Sequence, residues 1–176
     1  MPLVDWEIRS AVACGMIKVI PYDDTKVNPD SLDVCLGGNF STTIPTGSII
    51  NPLDKESFVT VPLTSEDHYV LKPGEFILAS LKEDITLPPD ICATIRGKSS
   101  LGRLGIDNSS VAGFIDGSWS GVLTIELKNN SAQCVQLTKG MRIGQIVFDH
   151  TEVPEKNYSQ TGRYNRQEPG QGSLGV

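Results

Sequence analysis

The spacing of the hydrophobic residues changes once along the chain. Between residues 4 and 12 they recur at helical intervals, and Asp5 can cap the start while Gly15 can end it, which predicts a short helix over residues 5–14. Beyond it they follow the period of two that is typical of strands. The predicted strands lie at residues 16–20, 32–36, 48–50, 58–62, 69–71, 76–81, 85–87, 91–95, 113–115, 122–127, 134–137 and 143–148. Pro, Gly, Asn and Asp separate them at short intervals, so an all-β sandwich or closed β domain is predicted.

The end of the chain has a different character. From residue 151 hydrophobic residues almost disappear, and residues 158–176 are rich in Gly, Gln, Asn, Arg and Ser, which is typical of a flexible segment. Residues 163–173 nevertheless carry cations, an aromatic ring and glycines, groups that can fold over a phosphorylated ligand as a lid. We therefore predict a β domain over residues 1–150 and a C-terminal tail or lid over residues 151–176.

The composition fits one acidic domain. The chain has 176 residues and a formal net charge of −6. A general nucleic-acid binder needs a basic surface that neutralises a row of phosphates, so the charge argues against nucleic acid as a partner. No apolar run approaches the ~18 residues of a membrane span, and the first residues do not resemble a secretory signal, so no membrane partner and a cytoplasmic location are expected.

The four cysteines are scattered through the chain and form no C-x-x-C pair. Reduced, buried thiols are therefore predicted. Only two histidines accompany them, and the H-x-E and P-C-x-x-C signature of zinc-dependent base deaminases is absent, so no protein-held metal is predicted.

Two clusters of candidate chemistry lie between Arg96 and Glu126. Residues 96–103 hold three cations, two hydroxyls and two glycines, a composition typical of a phosphate-binding turn. Residues 112–121 form a turn-rich, largely apolar loop with one carboxylate and two aromatic rings, and this loop leads directly into a predicted strand. Together they predict a site for a phosphorylated, planar ligand.

Several segments in a fixed order resemble the dCTP deaminase family, within the dUTPase superfamily. They are residues 3–8 (LVDWEI), 15–17 (GMI), 28–37 (NPDSLDVCLG), 71–76 (LKPGEF), 87–90 (LPPD) and 97–105 (GKSSLGRLG). The resemblance covers nearly the whole chain. It implies a distorted, dUTPase-like β jelly roll that assembles as a homotrimer, with each active site shared between subunits.

Glu126 occupies the position that separates the chemistries of this superfamily. Strand alternation alone favours a surface residue there over a functional group. The resemblance instead implies that Glu126 is the acid/base of a zinc-independent deamination, in which water attacks C4 of cytosine and ammonia leaves. It also implies that Ser99 and the backbone near Ala112 hold the attacking water, while Arg103 orients Glu126. From the residues alone, a turn hydroxyl is the favoured interpretation of Ser99, and a solvated cation is the favoured interpretation of Arg103.

The resemblance further assigns the substrate-binding groups. Arg96, Lys98 and Ser100 are candidates for the triphosphate, which is expected to arrive with Mg²⁺. The tail would close over it with Arg163, Tyr164 and Gln167. The loop residues are expected to hold the sugar and base. Asp116 would contact the 3′-hydroxyl, and the apolar face of Phe114 or Trp119 would hinder binding of a ribose 2′-hydroxyl. Ordinary core packing is the alternative for the two aromatic residues.

The loop also bears on whether one reaction occurs or two. Residues 112–116 read AGFID, including Gly113, and resemble relatives that carry dUTP on to dUMP and pyrophosphate, with Asp116 as candidate base. Arg166 and residues 170–175 resemble the dUTPase phosphate lid, although Gln171 replaces its stacking Phe. Other positions depart from the family pattern: Ser109, Val111, and Gly117 with Ser118 in place of Pro-Gly or Ala-Gly.

The bifunctional enzyme is therefore the leading hypothesis. A deaminase that releases dUTP, a dUTPase without deamination and a non-enzymatic nucleotide sensor remain alternatives. Feedback inhibition by dTTP is expected from the resemblance.

Overall fold

The fold is built almost entirely from antiparallel strands. The computed structural model describes residues 1–63, 67–108 and 113–176. The strands are β1 (Lys18–Ile20), β2 (Val27–Asn28), β3 (Ser31–Pro45), β4 (Phe58–Leu63), β5 (His68–Leu71), β6 (Phe76–Thr86), β7 (Ile91–Gly97), β8 (Ile106–Asp107), β9 (Phe114–Ile115), β10 (Ser120–Asn129), β11 (Val135–Thr138) and β12 (Arg142–His150). The α-helices are α1 (Asp5–Ala13), α2 (Ser99–Gly102) and α3 (Tyr158–Thr161). The all-β prediction is confirmed.

Helix α1 forms where the periodicity predicts it, but its cap differs. The N-cap is Val4, whose backbone N–H donates to the Glu7 carboxylate at 2.9 Å. Asp5 lies inside the first turn and pairs with Arg9 at 2.6 Å. The predicted Asp5 cap is therefore wrong, because the Glu7 carboxylate satisfies the backbone donor of Val4 instead. Ile8 and Ala11 face the core.

One large sheet holds most of the strands, in the order β8-β10-β6-β3-β12-β7-β9. Strand β1 also pairs with β6, β2 and β4 also pair with β3, and β5 and β11 form a separate pair. The first part of β3 pairs with β12 and its later part with β6 and β4, with a register shift between Leu36 and Phe40. A Cβ on Gly37 would collide with the Ser80 hydroxyl, so glycine lets β3 pass close to β6 at this shift.

The predicted strands differ from the observed ones in a few places. Residues 76–81 and 85–86 belong to one strand, β6, which ends before residue 87. Residues 48–50 form no strand; Ile49 and Ile50 are exposed in the connection between β3 and β4. The two-residue strands β2 and β8 are too short to produce a periodic signal.

The core is apolar and continuous, with fully buried side chains from α1 and from strands of both halves of the sheet, including Ile8, Leu36, Ile77, Leu127 and Phe148. All four cysteines are free, as predicted, but Cys14 and Cys134 are exposed, so the prediction that all the thiols are buried is wrong for these two. Within the described residues, none of the helices is long and apolar enough to cross a membrane.

The tail lies across the β domain. The composition predicts a flexible segment, yet in the structure the tail is held by hydrogen bonds to β10 and β3. They run from Arg166 N to Ser120 O (2.8 Å), Ser120 N to Asn165 Oδ1 (2.9 Å), Gln167 Nε2 to Val122 O (3.1 Å) and Ser41 Oγ to Gly170 O (2.9 Å). Gly172 packs so closely on Thr60 of β4 that a Cβ would collide with that side chain. The position of the tail against β4 thus depends on a glycine that allows close approach.

Candidate active site

A cavity of about 420 Å³ lies between β10, β6, the loop after β9 and the tail. Glu126 lies in its wall, since β10 points Ile125 and Leu127 into the core and Glu126 to the opposite face. Leu78, the cross-strand partner of Glu126, lines the same cavity. The surface position that strand alternation favours is therefore wrong: the tail covers this face of the sheet.

The surroundings of Glu126 change its acidity. Burial raises the pKa of the carboxyl group above its usual value. Within the described residues, no cation pairs with Glu126 to offset this. A carboxyl group with a raised pKa exchanges its proton more readily near neutral pH, which is what a proton shuttle requires.

The loop that follows β9 supplies aromatic walls to this cavity. Trp119 is buried, and its ring lies 5.9 Å from that of Tyr158 on α3. Phe114 also lines the cavity but is 65% exposed, so it is not a core residue. Asp116 lies exposed in the turn between them, where its carbonyl accepts a hydrogen bond from Trp119 N at 3.2 Å. Gly113 lies on the other side of β9 and its carbonyl accepts from Ile95 N.

Ser118 keeps this turn in the shape that glycine would favour. Its φ is +69°, in the left-handed region, and its N–H donates to Pro88 O at 3.1 Å. Its hydroxyl is buried and has no partner within the described part of the chain. Ser118 stands where the family pattern has Gly, and the turn is still formed. The left-handed conformation strains a residue with a side chain by about 1–2 kcal/mol.

We expect Ser118→Gly to raise the free energy of unfolding by about 1 kcal/mol, because glycine removes both the strain and the unpartnered hydroxyl. Chemical denaturation of the two proteins measures the difference. Ser48→Gly is the matched control, because Ser48 is exposed in the connection between β3 and β4 and its φ is not positive, so that variant should be unchanged or slightly destabilised. Equal destabilisation by both substitutions would contradict the assignment of strain.

Two of the three predicted tail residues reach the cavity. Tyr164 and Gln167 line it; the Tyr164 hydroxyl accepts from Leu174 N at 3.0 Å, and the Gln167 amide donates to Val122 O. Arg163 does not line it, and its guanidinium donates to the carbonyl of Gly175. The structure thus gathers Glu126, Phe114, Trp119, Tyr164 and Gln167 around one space.

The Ser99 turn forms a second cleft of about 590 Å³ beside α2. Lys98 and Ser99 line it, Ser100 is exposed on α2, and Arg103 is exposed at the C-cap of that helix. Arg96 is exposed on β7 opposite Gln145, which also lines this cleft.

Lys98 is held by a carboxylate that sequence reasoning missed. The side chain of Asp33 on β3 is only 1% exposed. Its Oδ1 lies 2.6 Å from Lys98 Nζ, and its Oδ2 lies 3.1 Å from Arg142 Nη1. Asn28 donates to it as well, at 2.9 Å. These two cations and the Asp33 carboxylate carry a net charge of +1, and Asp107 adds a further carboxylate to the lining of the cleft. The signal in the sequence was a charged residue inside the apolar strand 32–36.

The two clefts are separate within one chain: no described residue lines both. Ser99 and Arg103 are therefore not in the cavity of Glu126. Ala112, and with it Ser109 and Val111, lies outside the described residues.

The sequence has close relatives. A family model described as dCTP deaminase-like matches residues 3–151. The chain is 40% identical over 170 residues to a protein of Methanosphaerula palustris named dCTP deaminase, dUMP-forming, covering 95% of this chain and 91% of that protein. A Thermobifida fusca protein of the same name is 41% identical over 163 residues, covering 89% of this chain and 82% of that protein.

Solved structures agree on the fold. The crystal structure of 2′-deoxycytidine 5′-triphosphate deaminase from Agrobacterium tumefaciens matches with a TM-score of 0.63 and 27% identity, covering 84% of this chain and 48% of that one. This chain therefore spans about half of that protein's length. A dUTPase mutant from phage phi11 of S. aureus matches with a TM-score of 0.53 and 14% identity, covering 80% of this chain and 94% of that one, which supports the fold alone.

Proposed function

The chain belongs to the dCTP deaminase-like family, and we propose that it is an enzyme that converts dCTP to dUMP in two steps, deamination followed by hydrolysis of dUTP. The observation that carries this proposal is Glu126, a partly buried carboxylate in a cavity with aromatic walls. The relatives named dUMP-forming, which match over nearly the full chain, support the two-step product.

Deamination exchanges an amino group for an oxygen at C4 of cytosine. Water adds to C4 while Glu126 takes a proton from it and gives one to N3. In the tetrahedral intermediate the hydroxyl proton passes through Glu126 to the amino group, ammonia leaves and the ring becomes uracil. One positioned carboxyl group thus serves both transfers, a contribution of about 10²–10⁴ in rate.

The attacking water needs polar neighbours, which we assign to Ser99, Arg103 and the backbone near Ala112. Because Ser99 lines a different cleft from Glu126 in one chain, and Arg103 does not line the Glu126 cavity, we infer that the site is completed between subunits of a homotrimer. In that arrangement Arg103 of one subunit faces Glu126 of the next and stabilises the developing charge.

The triphosphate is assigned to the Ser99 turn, with Arg96, Lys98 and Ser100 as its ligands and the tail closing from above. Among the described residues, no group of three His, Cys, Asp or Glu could hold a metal ion. Mg²⁺ would arrive with the nucleotide, as polyphosphates normally do, and would neutralise part of the phosphate charge. The net charge of +1 around Asp33 suits a polyanion.

The second reaction breaks the bond between the α- and β-phosphates of dUTP. Asp116 is the proposed base: it takes a proton from the water that attacks the α-phosphorus, and pyrophosphate leaves with dUMP remaining. Asp116 is exposed in its turn and is therefore accessible to a nucleotide. The loop sequence 112–116, which resembles the two-step relatives, favours this role over release of dUTP.

The products from dCTP and from dUTP, each with Mg²⁺, test the proposal directly. We expect dUMP, ammonia and pyrophosphate from dCTP, and dUMP and pyrophosphate from dUTP. Accumulation of dUTP would identify a single-step deaminase, and turnover of dUTP alone a dUTPase. Binding of either nucleotide without any product would favour a sensor.

Two further properties belong to the same proposal. Adding dTTP to the assay is expected to slow dCTP turnover, as a feedback inhibitor would. The four free thiols favour the cytoplasm as the place of action, where cysteines stay reduced.

A further inference from the structure

Two buried polar atoms that lack a partner belong to residues lining the Glu126 cavity. They are Thr124 Oγ1 and Trp119 Nε1, both shielded from solvent and without a hydrogen bond to any described residue. A buried hydroxyl left unpaired costs about 1–3 kcal/mol. Such groups are few in native proteins, so each calls for an explanation.

Packing does not require a hydroxyl at Thr124. The residue lies two positions before Glu126 on β10 and on the same face, which places the two about 7 Å apart along the strand. Valine has nearly the same shape, prefers strands as strongly and would bury no polar atom. The hydroxyl is therefore better explained by a ligand that enters the cavity beside the Glu126 carboxylate.

We propose that Thr124 is a substrate-binding residue that hydrogen-bonds the pyrimidine edge in both steps of the reaction, an inference that rests on the proposed function. Deamination reverses that edge. In cytosine position 4 donates and N3 accepts, whereas in uracil position 4 accepts and N3 donates. A side chain with fixed donors that suits the first base is mismatched to the second.

A hydroxyl can hydrogen-bond to either base while its oxygen stays in one place. It has one donor and two acceptor positions, and its hydrogen rotates to suit the partner. Thr124 thus donates to one base and accepts from the other. The indole of Trp119 is a donor only, so it cannot reverse and is suited to an acceptor that both nucleotides share.

The test compares Thr124→Val with Thr124→Ser. Affinity is measured by calorimetry with the α,β-imido analogues of dCTP and dUTP, in a Glu126→Gln background, so that neither reaction proceeds. Loss of one neutral hydrogen bond predicts that Thr124→Val weakens the binding of both analogues by about 3- to 10-fold. Thr124→Ser should stay within about 2-fold because it keeps the rotatable hydroxyl.

Thr138→Val is the matched control, because Thr138 is exposed on β11 in the separate two-stranded sheet. It should change neither affinity. Unaltered binding in Thr124→Val would overturn the inference, and so would weakening for only one analogue, since the hydroxyl would then serve one base alone. A lower melting temperature for Thr124→Val without an affinity change would assign the hydroxyl to the fold.

Failure of the proposed function has a different signature. If the native chain turns over neither dCTP nor dUTP and binds neither analogue, the proposed function fails and the inference fails with it. If the native chain forms dUMP while Thr124→Val binds both analogues normally, only the inference fails.

Discussion

Replacing Glu126 with glutamine is expected to slow ammonia release from dCTP by about 10²–10⁴-fold, the usual contribution of a positioned acid/base. Glutamine keeps the shape and the polar end of the side chain but cannot exchange a proton. Hydrolysis of added dUTP should continue, because that step is assigned to Asp116. Ammonia and dUMP are measured separately, from dCTP and from dUTP.

The same substitution should not harm the fold. Burial raises the pKa of Glu126, so the folded state favours the neutral acid. The stability that comes from this neutral form is present at acidic pH and is lost as the pH rises through the folded-state pKa. At neutral pH the charged form of Glu126 lowers the stability of the folded state, and glutamine removes this destabilisation. The melting temperature of Glu126→Gln at pH 7 should therefore equal or exceed that of the native chain.

Glu152→Gln is the matched control, since Glu152 is an exposed carboxylate outside the cavity and the exchange is chemically the same. It should leave both reactions intact. Deamination that survives in Glu126→Gln would remove Glu126 from the mechanism. Loss of dUTP hydrolysis in the same variant would instead place the residue in substrate binding.

Local pattern predicted most of the longer elements but not what they bring together. The alternation from residue 122 to 127 predicts β10 and puts Glu126 on the face opposite the core. It cannot show that a tail forty residues later covers that face. Contacts such as Gln167 to Val122 join residues 45 positions apart, and no window of sequence contains both.

The site shows the same limit. The cations of residues 96–103 were visible in the sequence, and the family resemblance gave their role. The carboxylate that holds Lys98 lies 65 positions earlier, and the second cation on it, Arg142, lies 109 positions from Asp33. Asp33 stands in an apolar strand, and its partners are brought beside it by the pairing of β12 with β3 and with β7. The only indication of these ion pairs in the sequence was a charged residue inside a predicted core strand.

The largest effect on stability is expected from Asp33→Asn. Removing one member of a buried ion pair leaves its partner uncompensated, which costs about 3–5 kcal/mol. The lower end applies here, because the Lys98 side chain is 23% exposed and that of Arg142 is 52% exposed, so Arg142 can turn to water. The asparagine amide fits the space but would direct its N–H₂ at a cation.

A cost of about 3 kcal/mol in a domain of this size lowers the melting temperature by about 6–12 °C. Asp24→Asn is the matched control: Asp24 pairs with Arg9 at 3.0 Å, but its side chain is 62% exposed, and such surface pairs contribute at most about 1 kcal/mol. Calorimetric melting of both variants decides between them. A melting temperature for Asp33→Asn within about 2 °C of the native value would mean that Lys98 and Arg142 find water or other partners without loss. The position of the Ser99 turn would then depend on helix α2 and strand β7, and not on the Asp33 carboxylate.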